Sequence, residues 1–218
     1  MKNARFIFAL FICTLLIVSC KSKEERAENL IRSELSKTLY DYDSYKPIET
    51  TVKVAKANAY NDSNCWNQAG VLAYGLSQVV DNVRDARNAL EHMQIWGRPT
   101  YYSSSYSDNQ YYKYKDEHED AVAKANIAII TCNSLAETLR DSIAKLDTTQ
   151  VIGWEVNHSF RCKTKGGDSE IAHYRYVISK NFKTVILRED TESKKDKDTH
   201  DALETVLEGW EDLKTIQL

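Results

Sequence analysis

The stretch "AGVLAYGLSQVVDNVRDARNALEHM", Ala69–Met93, places apolar residues at Ala69, Leu72, Leu76, Val79, Val83, Ala86, Leu90 and Met93. Steps of three and four sustained in this way form the 3.5-residue seam of helices packed as a coiled coil. A helix with one apolar seam needs a partner to cover it, and the sequence supplies one. Ala121, Ala125, Ala128, Cys132, Leu135, Leu139 and Leu146 make a second seam, widened by the flanking row Val122, Ile129, Ala136 and Ile143. The polar cluster "NDSN", Asn61–Asn64, offers N-cap residues for the first run. Each run spans about 40 Å at 1.5 Å per residue, and the connector is short enough to return the chain antiparallel. A long antiparallel helical hairpin is therefore expected over residues 64–146.

After residue 150 the period changes. Trp154, Val156, His158, Phe160 and Cys162 alternate with Glu155, Asn157, Ser159, Arg161 and Lys163, the pattern of a strand with one covered face. "KGGDSE" supplies a turn at Gly166 and Gly167, a second strand follows over Ile171–Ile178, and a third over Lys183–Leu187. These make a three-stranded antiparallel meander over residues 151–188. Upstream of the hairpin, Ala27, Leu30, Ile31, Leu35 and Leu39 predict a first amphipathic helix. The segment "DYDSYKPIETTVKV" reads as extended chain leading into a short strand. Residues 191–199 read as a charged linker, and a last amphipathic helix over 200–218 is expected to bury Leu203, Val206, Leu207, Trp210, Leu213 and Ile216. The fold class is α+β, with residues 27–190 as one domain.

The chain carries 29 Lys and Arg against 32 Asp and Glu, a formal charge of −3, with both signs interspersed. That balance excludes nucleic acid as the expected partner, because phosphate binding rests on clustered Lys and Arg. Only 2 prolines and 7 glycines punctuate 218 residues, which favours long regular elements over a loop-rich fold.

At the start, Lys2 and Arg5 precede a nearly unbroken apolar run from Phe6 to Val18. About 20 apolar residues are needed to span a bilayer, so this shorter run predicts a signal peptide of residues 1–19. Ile17, Val18, Ser19 and Cys20 resemble the lipobox of bacterial lipoproteins, in which the cysteine is lipidated and becomes the first residue of the mature chain. Residues 20–26 would then be a lipidated tether, with a membrane as partner through its acyl chains. Removing the two basic residues of the leader moves the formal charge from −3 to about −5.

Three cysteines remain, Cys65, Cys132 and Cys162, without the spacing of a zinc site. Cys65 and Cys132 fall on the two helical seams and are the candidate disulfide, if their alpha carbons come within the roughly 7 Å that a bridge allows. The alternative is a pair of small core residues.

Three constellations are candidates for chemistry. The connector "IWGRPTYYSSSYSDNQYYKY" holds Trp96, Arg98, Tyr101, Tyr102, Tyr106, Tyr111 and Tyr112 among serines. Tyr, Trp and Arg dominate interface energetics, and Tyr with Ser is the mixture used by antibody binding loops. The tip is thus a candidate site for a protein or glycan, against the alternative that these rings fold back to cap the hairpin. On the sheet, a two-residue turn at Gly166 and Gly167 would set Phe160 opposite His173 and Cys162 opposite Ile171, gathering His158, His173 and Cys162 on one side. A slip of one residue would send the second strand's side chains to the other face. His92 and His118, near the ends of the connector, are further metal-type candidates. The acidic "KDEHED", Lys115–Asp120, is expected as a solvated first turn of the second helix.

Taken together, the lipobox, "LYDYDSYKPIET", "MQIWGRPTYYSSSYS" and "IGWEVNHSFRCKTKGGDSEIAHYRYVI" resemble a family of uncharacterised SYEP-type envelope lipoproteins of Gram-negative, Bacteroidota-like gut bacteria. The likeness covers roughly residues 10–190; Lys46 stands where the family often has glutamate, and the tail after 190 lies outside it. The resemblance implies an outer-membrane lipoprotein but brings no activity, cofactor or catalytic residue. The expected function is a lipid-anchored, non-enzymatic binding module acting through the Tyr-rich tip or the sheet face. The alternatives are a small-ligand binder or hydrolase using His158, His173 and Cys162, and a structural coiled-coil oligomer. No metal and no cofactor is expected.

Overall fold

The computed structural model describes residues 21–217, so Cys20 and the expected signal peptide lie outside the described residues. The elements are α1 (Lys23–Thr38), β1 (Asp41–Lys56), α2 (Ser63–Trp96), α3 (Ser105–Ala144), β2 (Val151–Lys163), β3 (Ser169–Ser179), β4 (Val185–Asp190) and α4 (Lys194–Gly209). The class is α+β, but the sheet has four antiparallel strands in the order β1-β2-β3-β4. The expected short strand before the hairpin is the 16-residue β1. Its Pro47 is tolerated because β1 lies at the sheet edge, where register shifts between Asp41 and Lys46 and between Pro47 and Glu49 interrupt the ladder.

The chain divides into two compact units instead of one domain over 27–190. The first runs to Lys56 and resumes over Val151–Thr191; the second comprises Ala57–Gln150 and the segment from Glu192 onward. In the first unit, α1 covers one face of the sheet. Ser22 caps it by accepting from the N–H of Glu25 at 3.1 Å, so the expected tether is already helical from Lys23. Ala27, Ile31 and Leu35 recur every four residues, are fully buried, and pack on Val156, Phe160, Tyr176 and Ile178. Gly153 in β2 admits nothing larger, since a Cβ there would sit 1.9 Å from the carbonyl oxygen of Ile178.

In the second unit the hairpin forms as the seams require. Asp62 caps α2, accepting from the N–H groups of Asn64 and Cys65. The buried residues of α2 are Cys65, Trp66, Ala69, Leu72, Ala86 and Ala89, while Leu90 is exposed. Ala89, three residues after Ala86, takes the buried position instead. In α3 the buried line is Val122, Ala125, Ile129, Cys132, Ala136 and Leu139, with Ala121 beside it, drawing on both rows of the sequence. α4 packs on α2 through Thr199, Ala202, Leu203 and Val206.

Residues 194–199 are thus helical and not linker, and the last helix ends at Gly209, whose φ of 129° suits only glycine. Leu207 is exposed, and Trp210, Leu213 and Ile216 belong to an irregular tail instead of a helix face. That tail runs antiparallel to α3, held by side chains of Asn126, Asn133 and Arg140.

Two glycines of α2 respond oppositely to alanine. A Cβ at Gly70 would meet Thr199 Oγ1 at 3.5 Å, an ordinary contact, so Gly70→Ala is expected to gain up to about 1 kcal/mol of helix propensity. A Cβ at Gly75 would lie 2.8 Å from the sulfur of buried Cys132. Overpacking there costs about 1–3 kcal/mol and outweighs the propensity gain. Thermal denaturation followed by circular dichroism should show a raised midpoint for Gly70→Ala, a lowered one for Gly75→Ala, and recovery when Gly75→Ala is combined with Cys132→Ala.

Candidate functional site

The hairpin tip is built by capping. Gly97 ends α2 at φ 68°, returning its N–H to the carbonyl of Met93, and Pro99 follows where the helix cannot continue. Ser104 caps α3 by accepting from the N–H of Ser107, and the Ser103 hydroxyl bonds both the Thr100 carbonyl and Asp108. The serines that looked available for a partner are therefore committed to holding the turn. Asp108, in the first turn of α3, also suits the positive end of that helix.

The aromatic residues divide on this frame. Trp96 and Tyr111 are half-buried, and Trp96 meets Tyr106 edge-on with ring centroids 5.6 Å apart. Tyr101 and Tyr102 stand 95% and 92% exposed and touch each other edge to face at 5.3 Å. Tyr106, Tyr112 and Arg98 are exposed as well, and Arg98 has no ionic partner among the described residues. Folding back accounts for Trp96 and Tyr111 and leaves the other tyrosines and the guanidinium to solvent. Ile95, 73% exposed, joins this surface; its sequence signal is an apolar residue lying off the α2 seam.

Comparison of the chain with protein-family models, with curated proteins and with solved structures found no match. The site is read from its own chemistry.

The sheet does not assemble the His/Cys cluster. Residues 164–168 form the turn, closed by Thr164 N–H to the Asp168 carbonyl, and the register sets Phe160 opposite Ala172, His158 opposite Tyr174 and Cys162 opposite Glu170. This is a one-residue slip from the two-residue turn, so His173 lies on the face opposite to His158 and Cys162. His173 instead borders an open polar hollow with Glu49, Thr51, Asn157, Ser159 and Thr191. His158 is 1% exposed beneath α1, with Nε2 2.9 Å from the Tyr45 hydroxyl and Nδ1 2.9 Å from Thr50 Oγ1. Both ring nitrogens are thus occupied by hydroxyls, which suits a neutral imidazole that donates from one and accepts at the other.

The cysteines carry no bridge: Cys65, Cys132 and Cys162 are free thiols. Cys132 faces Gly75, ten residues along α2 from Cys65, which at 1.5 Å per residue offsets the two sulfurs' positions by about 15 Å along the hairpin. That exceeds the reach of a disulfide. Burial pushes the Cys65 thiol up to about 11, with Asp62 adding to the effect, and burial raises Cys132 and Cys162 too. None is prepared to act as a nucleophile at neutral pH.

His92 stacks on Tyr114 at 4.5 Å, and His118 Nδ1 lies 2.8 Å from the Ala86 carbonyl, so the two are engaged separately along the hairpin. On α4, His200, Asp201 and Glu204 bring possible ligand atoms within 4.8 Å of one another on the surface, with the His200 ring stacked on Tyr60. Among the described residues, no oriented base, nucleophile or oxyanion donor accompanies any of these groups.

Burial holds His158 well below the usual histidine value, at about 4. The unfolded chain takes up this proton near pH 6.5 and the folded chain only near pH 4, so stability is full above about pH 6.5 and falls as the pH drops toward 4. The loss over that window is about 3 kcal/mol. Urea denaturation at pH 7 and pH 4 should show a smaller difference for His158→Gln than for the natural chain, by roughly that amount.

Proposed function

We propose that this protein is a lipid-anchored envelope protein that binds a protein or glycan partner through the tip of its helical hairpin. The observation that carries the reading is the exposure of Tyr101 and Tyr102, 95% and 92%, on a turn held in shape by the hydroxyls of Ser103, Ser104 and Ser107. Aromatic rings left in water on a pre-ordered frame cost solvation and lose little entropy on binding, which is the logic of a paratope. Arg98 and Ile95 extend the surface with a charge and an aliphatic group.

Two features support the non-catalytic side of the proposal. The candidate cluster of His158, His173 and Cys162 is divided between the two faces of the sheet, and the three thiols are buried or half-buried with raised proton affinity. The helical seams are consumed within the chain, where α2, α3 and α4 pack on one another. The anchoring part of the reading rests on the lipobox-like Ile17–Cys20, and among the described residues no helix is long and apolar enough to cross a membrane.

The test is replacement of Tyr101 and Tyr102 by serine, followed by crosslinking in intact cells and by binding to an array of envelope glycans. Two interface tyrosines at about 1 kcal/mol each would weaken capture by about 30-fold, while the thermal midpoint stays within a degree because neither ring is packed. An identical set of captured partners and glycans in the double variant would overturn the reading.

A further inference from the structure

The tail beyond Gly209 meets α3 through an unusual set of contacts. Asn126 Nδ2 donates to the Ile216 carbonyl at 3.0 Å while its Oδ1 accepts from the Ile216 N–H at 2.7 Å. Asn133 repeats the same pair on Leu213, at 3.0 Å in each direction. Arg140 Nη2 donates to the Trp210 carbonyl at 3.2 Å. The three side chains recur every seven residues, about 10.5 Å along a helix, and the tail residues every three, about 10 Å of extended chain. Helix and tail are therefore in step, and each carboxamide completes both main-chain groups of one residue as a neighbouring strand would.

Side chains follow the same period. Trp210, Leu213 and Ile216 are half-buried, and the intervening Glu211, Asp212, Lys214, Thr215 and Gln217 are exposed. Ile216 packs on the apolar patch of Ala86, Ala121 and Val122. The contacts thus read an extended backbone plus one apolar side chain in three, and ignore the other residues.

We propose that the Asn126, Asn133 and Arg140 row is a binding site for an extended segment of a partner polypeptide with large apolar side chains at every third residue, held in the resting protein by residues 210–217 as a tethered occupant. Two observations favour exchange over a permanent strap. The tail enters through Gly209 at φ 129°, a single joint between a regular helix and a segment without secondary structure. The fit is also incomplete, because the Trp210 indole N–H is buried without an acceptor. Gln68 Oε1 is buried without a donor at the same end of the hairpin, about two turns from the Gly75–Cys132 crossing. An unmade buried hydrogen bond weakens the occupant that leaves it unmade. Displacement returns the Trp210 indole to solvent, and a partner segment that donates to Gln68 has an advantage that offsets the tether, whose effective concentration is on the order of 1 mM.

The probe is a fluorescein-labelled peptide with the sequence of residues 209–218, beside a control of equal composition with its Trp, Leu and Ile at every second position. Binding is measured to the full chain and to a full-chain variant carrying Leu213→Asp and Ile216→Asp, which frees the row. The variant is expected to bind the probe at least tenfold tighter than the natural chain, to ignore the control, and to lose at least tenfold in affinity when Asn126→Ala and Asn133→Ala are added. Hydrogen exchange on the natural chain gives a readout independent of how the variants fold: excess probe should speed exchange at the tail amides of Leu213 and Ile216. Unchanged exchange under saturating probe, or binding that survives both Asn substitutions, overturns the assignment. Dimers formed by swapping tails between two copies, with no uptake of free probe, overturn it as well.

Discussion

Everything in the helical unit depends on how closely α2 and α3 approach. Small residues recur along them, Ala69, Gly75, Ala86 and Ala89 on one side and Ala121, Ala125, Cys132 and Ala136 on the other. At Gly75 the partner sulfur occupies the space where any side chain would begin. Small residues permit close packing of backbones, and a bulky thiol against a glycine locks the vertical alignment of the two helices. That alignment sets the level of the turn at residues 97–104. It also sets which α3 residues face the tail, since Ile216 rests on Ala86 and Ala121 together.

Much of this was legible in the sequence, and the failures have physical causes. The hairpin was readable because two long seams leave no other way to bury their apolar lines. Its fine detail was not: the seam selects Leu90, where the structure buries Ala89 and leaves Leu90 exposed. The strands after residue 150 were readable from alternation, yet the pairing of β2 with β3 slipped by one because the turn is longer than the two glycines alone require. That single step decided whether a His/Cys cluster existed. β1 was underestimated because Pro47 and the polar run Glu49–Thr51 weaken its alternation, although an edge position accommodates both.

The tail shows a different kind of ambiguity. Trp210, Leu213 and Ile216 continue the three-residue steps of Leu203 and Val206, and a step of three fits both a helix face and an extended chain with threefold repeat. Gly209 was the available stop signal. The carboxamides that receive the tail were invisible, since Asn126 and Asn133 lie among apolar seam residues and look like ordinary polar interruptions. At the tip, composition drew attention to the tyrosines but mistook what several of the serines do. Ser103, Ser104 and Ser107 shape the loop, and Tyr101 and Tyr102 stand outward beside Ile95 and Arg98.

The buried thiols have a consequence for how the chain meets an oxidant. With Cys65 held near 11, about one molecule in ten thousand carries that thiolate at pH 7, and exchange chemistry proceeds through the thiolate. In the folded chain Cys65 is thus nearly inert to thiol exchange although it is unpaired. The vulnerable interval is folding, when the chain's cysteines have ordinary reactivity. Closure of the hairpin, which buries Cys65 and Cys132 together, is then a form of chemical protection.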